Sequence, residues 1–134
     1  MASLDSVCEG VVKEVDDALA CGVVDLSSGM LMGVHHIVAY FTQTYLDAVA
    51  AAAVDMFRGK TVARVEQLLS KVRGQEVKGA FEEVFIKSTK VFHFMKVIQE
   101  NNAVVVLVTK TSTNQGIGWV ALRNAISDVK ERLP

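Results

Sequence analysis

Proline is all but missing from this chain. The single one is Pro134, the last residue, so no element is broken from within by that route. Cysteine is nearly as scarce. Two residues, Cys8 and Cys21, are too few for a disulfide scaffold and read as free thiols of a reducing compartment. Neither sign of charge is in surplus: 14 Lys and Arg stand against 15 Asp and Glu, a formal net charge of −1. That balance argues against nucleic acid or an anionic membrane as the main partner. The longest wholly apolar runs, Ala48 to Val54 and Ala103 to Val108, fall far short of the roughly 20 residues that span a bilayer. Met1 to Asp5 shows neither the basic stretch nor the apolar stretch of a secretion signal. A soluble cytoplasmic protein is the expectation.

What is present suits one globular domain over residues 1–134. Apolar residues make up 51% and charged residues 22% of the 134, which excludes disordered and fibrous chains. Folding at this length buries about two thirds of the open chain's surface.

Apolar spacing sets the order of elements. Leu4, Val7, Cys8, Val11, Val12, Val15 and Leu19 follow a helical period, with Ser3 as cap and Asp5 in the first turn. Cys21 to Leu26 and Met30 to His36 read as a hairpin around the Ser27-Ser28-Gly29 turn. Thr42 or Thr44 caps a helix over Tyr45 to Phe57, which Arg58-Gly59-Lys60 interrupts. A further helix carries Val62, Val65, Leu68, Leu69 and Val72 on one face. Glu83 to Lys87, Lys90 to Gln99 and Ala103 to Thr109 read as strands, with Asn101-Asn102 as a turn. A last helix carries Trp119, Leu122, Ile126 and Val129, followed by a polar tail from Lys130. In the second of these strands, Val91, His93, Met95 and Val97 fall on one face and Phe92, Phe94, Lys96 and Ile98 on the other. A sheet apolar on both faces needs cover on both. The expected architecture is an α/β sandwich: a five-stranded, mainly antiparallel sheet with helices on both faces, in the order α-β-β-α-(α)-β-β-β-α.

That order and two stretches of local text resemble the roadblock family of dynein light chains and their bacterial relatives. Cys21-Gly22-Val23-Val24-Asp25-Leu26-Ser27-Ser28-Gly29-Met30-Leu31 looks like the family's first hairpin. Val104 to Val108 followed by Asn114-Gln115-Gly116-Ile117-Gly118 looks like its last strand and the glycine-bearing start of its last helix. The stretch Gly59 to Gly79 is longer than the usual connector. The resemblance implies a roadblock/profilin-like fold and a cytoplasmic dimer without an active site. It also implies docking on other proteins, among them small Ras-like GTPases whose GTP hydrolysis some bacterial members stimulate.

The second helix supports pairing independently of that resemblance. Tyr45, Leu46, Val49, Ala53, Met56 and Phe57 form a face for the sheet. The reverse face sets Asp47, Asp55 and Arg58 around Ala48, Ala51, Ala52 and Val54. Small side chains there admit a second helix, and Asp47 with Arg58 can set its register, against the plain reading that alanine is the best helix former. The expected dimer interface is therefore Asp47, Ala48, Ala51, Val54, Asp55 and Arg58.

Other constellations stay below their structural readings. Gly59-Lys60-Thr61 echoes a phosphate loop, but Val54 stands where that motif needs its first glycine. Gly116 and Gly118 suit close helix–sheet packing better than an anion site. His35 and His36 point to opposite faces of a strand. With His93, Cys8 and Cys21 they lack metal-ligand spacing, and a buried thiol is more often inert packing than a nucleophile. Asp16-Asp17 and Glu82-Glu83 read as solvated charge. No catalytic residue, cofactor or metal is expected, and the chain is read as not an enzyme. The leading function is a homodimeric regulator or scaffold that binds a partner protein, a small GTPase. The alternative is a small-molecule sensor whose cavity Met30, Met32, Met56 and Met95 would line.

Overall fold

A computed structural model describes residues 3–134. Four helices and five strands follow the expected order: α1 (Leu4–Glu14), β1 (Ala18–Asp25), β2 (Leu31–His36), α2 (Gln43–Arg58), α3 (Lys60–Arg73), β3 (Glu83–Lys87), β4 (Val91–Ile98), β5 (Ala103–Lys110) and α4 (Gln115–Arg132). The strands make one sheet in the order β2-β1-β5-β4-β3, with every pair antiparallel. No described helix is long and apolar enough to cross a membrane.

The sheet is covered on both faces. On one, Cys21, Val23, Phe92, Phe94, Val105 and Leu107 pack under α1 and α4. On the other, Ala20, Val24, Met95, Val97, Val104 and Val106 pack under α2. β4 divides its apolar side chains between the two cores as its period-two pattern requires. Gly118 of α4 lies so close to the sheet that a Cβ there would come 2.6 Å from the Phe94 ring. Gly33 likewise admits α1, since a Cβ would sit 2.5 Å from Leu4 Cβ. Gly118 thus serves packing, whereas Gly116 is exposed and a Cβ there would meet only Asn114 Oδ1; Asn114 itself caps α4 by accepting from Ile117 N at 3.1 Å.

Two element boundaries are corrected, and α3 forms as expected but stands largely uncovered. α1 stops at Glu14, not near Leu19, and Ala18 and Leu19 open β1. The reason is tertiary: Asp17 turns into the left-handed region at φ 65°, and Lys110 N bonds Asp17 O at 2.9 Å. That bond draws the following residues into register with β5. α4 continues through Lys130 to Arg132, where a polar tail was expected, because no breaker stands before Pro134. α3 forms, yet of its apolar positions Val62 is buried while Leu68 is 48% and Val72 85% exposed. No layer remains to cover them.

The candidate docking surface

α2 begins where Thr42 Oγ1 accepts from Tyr45 N at 3.3 Å. Its inner alanines, Ala50 and Ala53, are fully buried beside Phe57 and let the helix axis approach the sheet closely. Asp47, Ala48, Ala51 and Asp55 of the expected interface are exposed, together with Ala52. The remaining two behave differently. Val54 is half-buried and leans toward the β1–β2 turn, where a Cβ on Gly29 would meet its Cγ2 at 3.7 Å. Arg58 turns back into the chain. It donates to Asn102 Oδ1 at 3.3 and 3.1 Å, to Gln99 Oε1 at 3.3 Å and to Phe57 O at 3.1 Å. Asn102 Nδ2 in turn donates to Ser27 Oγ at 2.8 Å. Arg58 therefore ties the end of α2 to the β1–β2 turn and to the turn before β5. Asp47 accepts from Gln43 Nε2 at 2.8 Å, and no ion pair of Asp47 or Asp55 occurs among the described residues.

The two ends of the sheet differ. At β2, the amide of Val34 points away from β1 and donates to Asp5 Oδ1 of α1 at 2.9 Å, so that edge is partly occupied. Among the described residues β3 pairs only with β4. The bonds Ser88 N to Val91 O and Val97 N to Glu82 O, both 2.9 Å, set the phase of the ladder. By the antiparallel alternation, the amides of Phe85 and Lys87 then point outward. An unpaired edge of this kind is a template for another strand. β3 is also held firmly in place. Glu83 takes two bonds from Arg123 of α4, each 3.0 Å, and lies 3.5 Å from Lys96 Nζ. Arg123, then Lys96, hold its carboxyl below the usual glutamate range. Arg123 also stacks 5.2 Å over the Trp119 ring.

The residues considered for chemistry are dispersed. Cys8 and Cys21 are fully buried in the α1 core. His35 is the cross-strand neighbour of Cys21, but the Cys8 contact and then burial push the Cys21 thiol well up, so it stays protonated. His93 lies on the opposite face, between Ile86 and Val108; burial lowers its pKa and its Nδ1 has no hydrogen-bond partner among the described residues. No group of three or more His, Cys, Asp or Glu that could hold a metal occurs among the described residues. Of the four methionines proposed to line a cavity, Met30 is 67% exposed and Met95 is buried. The apolar space beneath α2 amounts to about 30 Å³, room for roughly one water and not for a ligand.

Sequence reasoning missed the open β3 edge and the exposed face of α3. The first is a matter of strand order, which no local pattern encodes. The second had a signal in Lys60, Arg64, Lys71 and Arg73, which crowd one short helix with a single acid, Glu66.

An open antiparallel sheet flanked by α1 and α4 on one face and α2 on the other defines a small α/β sandwich. The chain has the roadblock/LC7 fold. It superimposes on the gliding protein MglB from Thermus thermophilus with a TM-score of 0.73 at 17% identity, covering 97% of this chain and 87% of that one. A Roadblock/LC7 domain from Streptomyces avermitilis matches with a TM-score of 0.70 at 14% identity and 97% coverage of both chains. A third structure, described as MglB with tetrameric arrangement, gives 0.74 at 17% identity, over 97% of this chain and 87% of that one. No family model matches the sequence, and no curated protein matches it.

Proposed function

We propose that this chain is a non-enzymatic regulatory or scaffold protein that pairs with itself. The dimer binds a small Ras-like GTPase in the cytoplasm and modulates its GTP hydrolysis. The observation that carries the reading is the outer face of α2. There Ala48, Ala51 and Ala52 lie exposed between two acids without ion-pair partners, Asp47 and Asp55. Long polar side chains are the usual cover of a solvated helix, whereas alanines permit close approach of another backbone. The unpaired edge of β3 adds a second surface of the kind that self-association satisfies. The fold shared with an MglB described as tetrameric supports self-association, and the roadblock resemblance supports a GTPase as partner class.

Such a dimer works by position. A rigid two-sided sandwich holds a partner's switch segments in the hydrolysing arrangement without itself supplying a group to the phosphate. Sedimentation of the full chain tests the pairing. A dimer is expected, and Ala51→Glu should shift it to monomer, because the longer side chain would fill the space through which the small alanine admits the partner. An unchanged dimer removes this face from the interface. Affinity capture from the source cells followed by a GTP hydrolysis assay tests the partner. A captured GTPase whose rate is unchanged would rule out rate control.

A further inference from the structure

α3 is the least covered element of the fold. It touches the rest chiefly through α2 and through the connector to β3, where Val77 N donates to Ser70 Oγ at 2.8 Å and Ala80 N to Glu66 Oε2 at 2.9 Å. Those bonds fix one side of the helix and take up its one carboxylate. On the exposed side, at 100° per residue, Lys60, Arg64 and Lys71 form one row and Leu68 and Val72 flank it. Among the described residues none of Lys60, Arg64, Lys71 and Arg73 forms an ion pair, although six other bases do.

The outer face of α2 carries the opposite pattern. Asp47 and Asp55 stand two turns apart, about 12 Å along the axis, with exposed Ala51 midway between them. On α3, Arg64 and Lys71 also stand about two turns apart, about 10 Å, with Leu68 midway. One helix thus presents acid, hollow, acid, and the other presents base, knob, base, at spacings that long basic side chains bridge. Arg58 is committed to Asn102 and Gln99, so it is not the cation that meets the α2 acids.

We infer that α3 of one copy lies across α2 of a second copy, with Leu68 against Ala51 and with Arg64 and Lys71 paired to Asp47 and Asp55. This rests on the dimer reading above and names the element that covers the α2 face. In a two-fold pair each contact occurs twice.

Charge reversal on both helices tests it, using the full chain in sedimentation at low and high salt. All four sites are exposed in the single chain, so folding, checked by circular dichroism, is expected to survive. Wild type is expected to be a dimer that weakens with salt. Arg64→Glu with Lys71→Glu should weaken it about tenfold or more, and Asp47→Lys with Asp55→Lys should do the same. The four changes combined should return affinity to within about threefold of wild type. A wild-type dimer indifferent to both pairs, or no recovery in the combined protein, overturns the α2–α3 contact and leaves the dimer itself standing. A dimer that survives the α3 reversal while a co-purified partner protein is lost assigns the basic face to that partner and also overturns it. A wild type that remains monomeric defeats the dimer reading and this inference together.

Discussion

Two glycines in helices should answer the same substitution with opposite signs. Gly10 lies in α1, with nothing within 4 Å of where a Cβ would stand. Gly118 lies in the first turn of α4, where a Cβ would come 2.6, 2.9 and 3.1 Å from three atoms of the Phe94 ring. That ring has no freedom to retreat. It is fully buried, with centroids 5.1 Å from Phe85, 6.1 Å from Phe92 and 5.3 Å from Trp119. Alanine is favoured by about 1 kcal/mol over glycine in a helix, and overpacking a tight core costs about 1–3 kcal/mol. Gly10→Ala should therefore stabilise by up to about 1 kcal/mol, while Gly118→Ala should destabilise by about 1 kcal/mol net. At this length each is a shift of roughly 3–5 °C in the melting midpoint, and calorimetry with urea titration measures both. If Gly118→Ala stabilises as much as Gly10→Ala, α4 does not rest on Phe94 as described, and the close packing of that helix is refuted.

The carboxyl of Glu83 is held low chiefly by Arg123, so its contribution is full above its ordinary value of 4.5 and is lost as pH falls through the lower folded value. Glu83→Gln should cost about 1 kcal/mol at pH 7, reduced by the partial exposure of the pair, with a gap from wild type that closes in acid; a gap constant with pH in urea titrations would contradict the ion-pair account. Burial lowers the pKa of His93, so the unfolded chain takes up the proton first and stability should decline as pH drops below about 6.5. His93→Leu, on an apolar face between Ile86 and Val108, should reduce that decline, and equal declines in both proteins would exonerate the histidine. Asp5→Ala should cost about 1 kcal/mol and speed hydrogen exchange at the Val34 amide; unchanged exchange would mean that Asp5 does not guard the β2 edge.

Elements whose pattern is dictated by their immediate neighbours were legible without coordinates. The period of two over Val91 to Ile98 placed the apolar side chains on the correct faces, since a strand exposes alternate residues to two cores. The break at Gly59 was legible as well, and a Cβ there would overlap the Asp55 carbonyl oxygen. The alanine strip announced an uncovered face, and Asp47, Ala48, Ala51 and Asp55 do lie exposed.

Where two elements meet, the chain alone was ambiguous. Ala18 and Leu19 continue the helical spacing of α1 as well as they suit a strand, and pairing with β5 decided for the strand. Arg58 reads as a surface charge on a helix wheel, yet Asn102 and Gln99, distant in sequence, take its donors. Away from such junctions, the order of helices and strands and the alternation of apolar faces could be read from the chain, because they follow from backbone periods acting over a few residues. Only the tertiary structure decided that β3 stands at an open edge and that α3 keeps Leu68 and Val72 uncovered. Strand order and the number of covering layers depend on contacts between segments far apart in the chain, and no local period records them.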